Sequence, residues 1–66
     1  MKHYHFVEEI SGEEFLVGAD DLAEAYDIAY DVAKDIGEMW NDGAYELTEL
    51  GTMSDFWAEC SGLDEY

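Results

Sequence analysis

Two interleaved stripes of side chains between residues 20 and 42 constrain the fold more than any other feature of this sequence. Apolar residues recur there at steps of three and four, from Leu22 to Trp40, and no proline interrupts them. This spacing is typical of the buried face of an amphipathic helix. Acidic residues recur at the same steps on the opposite face, at Asp20, Glu24, Asp27, Asp31, Asp35, Glu38 and Asp42. The pattern predicts one long helix with a carboxylate-lined face, called here the acidic row.

Local signals predict where this helix begins and ends. Asp20 or Asp21 can cap its first turn, and Asp21 with Glu24 has the spacing of a capping box. Gly37 lies inside the pattern, but both stripes continue past it. The Asn-Asp-Gly segment at 41–43 is therefore the predicted end.

Three other segments have the patterns of β-strands. Apolar and polar residues alternate over 2–10, and after the Ser11-Gly12 turn signal residues 13–18 return through Phe15, Leu16 and Val17, so the two segments predict a hairpin. Residues 44–50 alternate in the same way, and Gly51 is the predicted end of this third strand.

The C-terminal segment predicts a second, short helix. Thr52 and Asp55 have capping spacing, and Gly62 is the predicted end. Apolar residues fall at i, i+3, i+4 and i+7, which predicts a buried face, at Met53, Phe56, Trp57 and Cys60. Cys60 is therefore expected in the core, where a thiol is inert.

Together these elements predict a single α+β domain over residues 1–66, in the order β-β-α-β-α. The simplest packing is a three-stranded antiparallel sheet with the long helix across one face and a short C-terminal helix. A domain of this size has a thin core and little room for a deep pocket.

The charge balance defines the class of partner. Eighteen Asp and Glu stand against two Lys and no Arg, giving a formal net charge of −16. Apolar residues make up 48% of the chain and aromatic residues 15%, which argues for a folded domain rather than an acidic tail. Direct nucleic-acid binding is excluded, because no basic patch is present to meet phosphates. A basic partner is expected instead, and the like charge opposes self-association, which predicts a monomer.

Spacing along the acidic row suggests what such a partner normally binds. Continued as a helix from Asp20 to Asp42, the row would extend about 33 Å, with neighbouring carboxylates roughly 5–6 Å apart. One strand of DNA carries a phosphate about every 3.4 Å, and one duplex turn is about 34 Å. The row therefore resembles the phosphate backbone of one DNA strand, with wider spacing between the negative charges. A second acidic cluster surrounds the hairpin turn, at Glu8, Glu9, Glu13 and Glu14.

No residue pattern predicts a catalytic, cofactor or metal site. His3 and His5 share one strand face, but the chain has a single cysteine and no CxxC or HExxH spacing, which favours ordinary surface histidines. The lone Cys60 rules out an internal disulfide and suits a reducing compartment. No signal-peptide core is visible near the N-terminus, and no apolar run reaches membrane-spanning length, so a cytoplasmic location is expected.

A tiny acidic α+β domain with a carboxylate-lined helix resembles the phage-encoded DNA mimics, in particular small anti-CRISPR inhibitors of type I-C systems. The resemblance rests on size, charge and element order. It implies a non-catalytic inhibitor in the host cytoplasm that occupies the basic DNA-entry surface of a CRISPR surveillance complex. The candidate contacts to such a basic partner are the acidic row and the hairpin acids Glu13 and Glu14. The alternatives are an immunity-type or antitoxin protein that covers a basic toxin or nuclease, and an acidic adaptor with a hydrophobic docking face and a solubility face. Adaptation to high salt is a further explanation of the charge.

Overall fold

A computed structural model describes residues 2–66 of the protein. The fold is built on a mixed four-stranded sheet. The elements follow one another as β1 (Lys2–Glu8), β2 (Glu13–Ala19), α1 (Leu22–Trp40), β3 (Leu47–Met53), α2 (Asp55–Cys60) and β4 (Asp64–Glu65). The strands lie in the order β3-β1-β2-β4. β1 is antiparallel to β2 and to β3, and β4 is parallel to β2.

The predicted α+β class with one sheet and two helices is confirmed, but the sheet has four strands rather than three. The additional strand, β4, contains only two residues, both acidic, so it carries no strand signal of its own. Pairing with Phe15 and Leu16 defines it. Tyr66 extends this pairing through backbone hydrogen bonds of 2.8 and 2.9 Å and packs its ring edge-on against Phe15.

α1 packs on one face of the sheet and forms the main core. The apolar residues of β1 and β2 that face the helix are at most 5% exposed, at Tyr4, Phe6, Phe15, Val17 and Ala19. They meet the small helix residues Ala25 and Ala29 together with Val32. The Phe6 ring stacks on Phe15 and meets Tyr26 edge-on, at centroid distances of 5.9 and 5.2 Å. Small residues on the helix allow it to approach these large rings closely.

Both ends of α1 lie where local signals predict them. The Asp21 side chain accepts a hydrogen bond of 2.9 Å from the Glu24 backbone N–H, which satisfies one free donor of the first turn. The helix runs past Gly37 and ends at Trp40, with Asn41 as the capping residue and Asp42 at a φ of 54°. Leu22 and Trp40, at the two ends of the helix, were expected on the buried stripe, but they are 42% and 66% exposed. No helix in residues 2–66 is long and apolar enough to cross a membrane.

Gly37 is required because the chain returns directly across it after the helix. A Cβ atom at this position would lie 2.7 Å from the Ala44 carbonyl oxygen and 3.2 Å from the Tyr45 Cβ. We expect Gly37→Ala to lower the free energy of unfolding by about 1–2 kcal/mol, because overpacking outweighs the gain in helix propensity. Urea unfolding checks this. Ala23→Gly, at an exposed site of α1, is the control, because it measures the difference in helix propensity between alanine and glycine without a packing effect. Unchanged or increased stability of Gly37→Ala would contradict this close packing.

The third strand lies three residues later than predicted, and Gly51 is part of it rather than its end. His5 pairs with Gly51 while the next residue, Phe6, pairs with Glu49, so Leu50 is the extra residue of a β-bulge. Gly51 adopts a φ of +124°, which side-chain-bearing residues rarely adopt. The bulge thus explains why a glycine is present at position 51, although the local sequence alone indicates the end of a strand there.

α2 connects β3 at one edge of the sheet to β4 at the other. Its Asp55 contacts His3, which alternates in β1 with the α1-facing Tyr4 and Phe6, so α2 lies on the sheet face opposite α1. Its cap is Ser54 rather than Thr52, and its buried residue is Ala58. The predicted buried face was therefore wrong. Phe56 and Trp57 are 64% and 62% exposed, and Cys60 is exposed rather than in the core.

Candidate protein-binding surface

The acidic row lies on the side of α1 that faces away from the sheet. All seven of its residues are exposed, at Asp20, Glu24, Asp27, Asp31, Asp35, Glu38 and Asp42. Five lie within the helix, whereas Asp20 and Asp42 lie just outside its ends. At 1.5 Å per residue, the part from Glu24 to Glu38 extends about 21 Å, less than the span expected when all seven residues were assigned to the helix.

Within residues 2–66, only Lys34 lies at helical neighbour spacing from this row, three residues after Asp31 and four before Glu38. None of its carboxylates takes part in any of the salt bridges formed within residues 2–66, all of which involve His3 or His5. Lys34 is the one cation of α1, and the last turn has no basic residue to balance the helix dipole. Four like-charge pairs at helical neighbour spacing cost about 1–2 kcal/mol in total. The row therefore opposes folding and leaves its charge available to a partner.

Removing charge from the row should stabilise the fold. We expect the variant carrying Asp27→Asn, Asp31→Asn and Asp35→Asn to melt about 5–10 °C higher than the parent at low ionic strength, because all four repulsive pairs are relieved. Thermal melts followed by circular dichroism check this. In about 0.5 M NaCl the difference should shrink, because salt screens exposed charges. Equal melting temperatures at low salt would mean that the row is already neutralised.

The acidic cluster expected around the hairpin turn is divided by the sheet. Glu13 pairs across the strands with Glu8 on the α1 face, whereas Glu14 pairs with Val7 on the opposite face. Glu13 is exposed and lines an open groove with Trp40 at the C-terminal end of α1. It can therefore extend the charge of the row at that end. The carboxylate of Glu14 instead lies 2.8 Å from His5 Nε2.

Glu8 does not belong to the exposed cluster in which the sequence placed it, because it is fully buried. Its carboxylate accepts four hydrogen bonds of 2.7–3.1 Å, from the Ile10, Ser11 and Glu46 backbone N–H groups and from the Asn41 side chain. One carboxylate thus ties together the β1–β2 turn, the end of α1 and the approach to β3. The period of two in β1, which puts Glu8 on the same face as Tyr4 and Phe6, was the signal that could have revealed this.

The hydrogen bonds also determine the ionisation of Glu8. Burial alone would raise the pKa of this carboxyl. Hydrogen bonds from the Glu46, Ser11 and Ile10 backbone N–H groups outweigh it and lower the pKa to about 2. Glu8 is therefore ionised at neutral pH and acts as a structural anion rather than a partner-binding one.

The two histidines lie side by side on the sheet face opposite α1, as their spacing predicts. His3 Nε2 lies 2.7 Å from the Asp55 carboxylate, and His3 Nδ1 lies 3.4 Å from that of Glu65. These contacts join β1 to α2 and β4, which indicates a role in holding the C-terminal segment on the sheet. Residues 2–66 contain no group of three or more His, Cys, Asp or Glu arranged to hold a metal ion.

Comparisons with protein-family models, with curated proteins and with solved structures found no match to this chain.

Proposed function

We propose that this protein is a non-catalytic inhibitor that mimics nucleic acid and occupies the basic nucleic-acid-binding surface of a partner protein. The observation that carries the proposal is the acidic row itself. Its seven carboxylates are exposed, and the described residues provide none of them with a salt-bridge partner. Solubility needs far less charge than a net −16, and the row reduces stability. Binding a cationic surface is a function for which this arrangement is suited.

Rigidity is what distinguishes the row from a flexible acidic tail. The five helical carboxylates are held on one scaffold over about 21 Å, a length along which one DNA strand presents about six phosphates. A channel of Lys and Arg that follows a phosphate backbone can therefore meet several carboxylates at once. Binding does not have to order α1, because capping and core packing already fix this helix. The complex therefore forms without that entropic cost.

The electrostatic field of the acidic row affects the rate of association with the partner as well as the stability of the complex. A concentrated negative surface approaching a positive channel raises the association rate, and this effect weakens as salt increases. Binding should therefore be fast and strongly salt-dependent, as it is for nucleic acid on the same surface. An inhibitor with these properties competes at the moment when the partner would capture its nucleic acid.

The resemblance to phage-encoded DNA mimics suggests a specific partner, the type I-C CRISPR surveillance complex. In this proposal the acidic row, extended at one end by Glu13, covers the basic surface where target DNA enters. Target recognition is blocked in the host cytoplasm without any chemical change to the partner. Glu14 contributes less, because His5 is already close to its carboxylate.

Size-exclusion chromatography with light scattering tests the partner assignment. Purified surveillance complex carrying its guide RNA should co-elute with this protein at about 0.1 M NaCl and release it at about 0.5 M. A basic nuclease toxin is the comparison partner. Binding to the toxin alone would favour an antitoxin over an anti-CRISPR inhibitor. Binding to neither would contradict both assignments.

A further inference from the structure

α2 presents an unpartnered aromatic pair on the sheet face opposite the acidic row. Phe56 and Trp57 are 64% and 62% exposed, and their rings meet edge-on at 5.4 Å. The helix contacts the rest of the protein through Ala58, which is buried. Large aromatic side chains are enriched at the centres of protein interfaces, where they provide much of the binding energy. Their exposure here identifies a second candidate contact surface.

Acidic residues also lie on α2 and around it, and Glu59 is one helical turn from Phe56. Asp55 and Glu59 lie one helical turn apart on α2, and together with His3 and Glu65 they line an open groove of about 340 Å³. The Asp55 side chain is 84% exposed. Neither lysine of the chain lies on α2, and the groove is lined by three acids and one imidazole. The potential of this surface is therefore negative, and it repels a second copy of the same chain.

We propose that the outward surface of α2 binds an arginine-bearing segment of a basic partner protein. A guanidinium group can stack on an aromatic ring while its N–H groups reach a neighbouring carboxylate. Phe56 and Trp57 supply the rings, and Glu59, one helical turn after Phe56, supplies the carboxylate, whereas the Asp55 carboxylate already lies 2.7 Å from His3 Nε2. This site is independent of the acidic row, because α1 and α2 lie on opposite faces of the sheet. A partner that bound both the acidic row and α2 would contact this protein on two opposite sides.

Nuclear magnetic resonance titration of the ¹⁵N-labelled protein tests this site. The probe is the capped peptide acetyl-(Arg-Gly)₃-amide, and its lysine counterpart has the same charge. We expect the arginine peptide to shift the Trp57 indole N–H and the backbone signals of residues 55–60. Binding there should be about threefold tighter for arginine than for lysine, because only the guanidinium stacks well on the rings. Shifts along the acidic row should not distinguish the two peptides.

The matched variant carries Phe56→Ser and Trp57→Ser. We expect it to lose the α2 shifts and the preference for arginine while keeping the shifts of the acidic row. Both side chains are mostly exposed, so the fold should survive, and Trp57→Ser alone replaces the double variant if it does not. Row shifts without α2 shifts, or α2 shifts that persist in the variant, would overturn this site and leave the proposed function standing. Shifts at α2 that depend on protein concentration without peptide would also overturn it, since a second copy would then be the occupant.

Discussion

Reversing three charges in the middle of the acidic row should abolish partner binding. We expect the variant carrying Asp27→Lys, Asp31→Lys and Asp35→Lys to bind the basic partner about 100-fold more weakly. Each exposed ion pair contributes roughly 0.2–1 kcal/mol, and each reversal replaces an attraction with a repulsion of similar size. Isothermal titration calorimetry at about 0.1 M NaCl checks this. All three side chains are exposed, so circular dichroism should show an unchanged fold.

A control with the same change in net charge separates the row from the total charge. The variant carrying Glu9→Lys, Glu46→Lys and Asp64→Lys alters three exposed acids that lie outside the row. We expect it to lose affinity by less than about tenfold, because only the long-range field is weakened. If the two variants bound equally poorly, the total charge would matter and the row would have no special role. If the row variant bound as well as the parent, the row would be a solubility face.

Replacing Glu8 should have the largest effect on stability. Glu8→Gln keeps the shape but gives up a carboxylate that accepts four hydrogen bonds. The glutamine amide places an N–H₂ group against donors, so at least one buried N–H loses its acceptor. We expect the free energy of unfolding to fall by about 2–3 kcal/mol and the melting temperature by about 10–20 °C. Glu9→Gln, at the exposed neighbouring position, is the control and should change stability little.

The contribution of Glu8 should also depend on pH, in a direction set by its lowered pKa. The folded-state pKa is about 2, against about 4.5 for an unperturbed glutamate. Because the unfolded chain binds the proton first, the stabilisation is complete above about 4.5 and is lost as the pH falls toward 2. The difference in unfolding free energy between the parent and Glu8→Gln should therefore shrink over this interval. A difference that stayed constant would contradict a structural role for the ionised carboxylate.

The sequence predicted α1 and the exposure of its acidic row because the signals for them are local. Asp21 begins the helix, Asn41 ends it, and the two stripes in between occupy opposite faces. Each of these features depends on residues at most four positions apart, so no knowledge of the fold was needed. The same reasoning missed the exposure of Trp40, because the burial of a residue on the apolar stripe depends on which distant residues pack against it.

Features that depend on pairing between distant segments could not be predicted in this way. Gly51 resembles a strand end until β1 is placed beside it and the bulge becomes visible. β4 exists only through its pairing with β2, and Phe56 and Trp57 follow a helical spacing that predicts burial. The crossing of α2 over the second sheet face leaves them exposed and buries Ala58 instead. The role of Glu8 likewise requires Asn41 and Glu46, which lie 33 and 38 positions away in the sequence.

Mutual exclusion between this protein and nucleic acid on one partner is the most direct test of mimicry. The apparent dissociation constant for the partner is measured at increasing concentrations of target duplex. If the acidic row occupies the duplex-binding surface, the constant should rise in proportion to duplex concentration without reaching a limit, and no ternary complex should form. A constant that reached a plateau, or a complex containing partner, duplex and this protein together, would contradict the account.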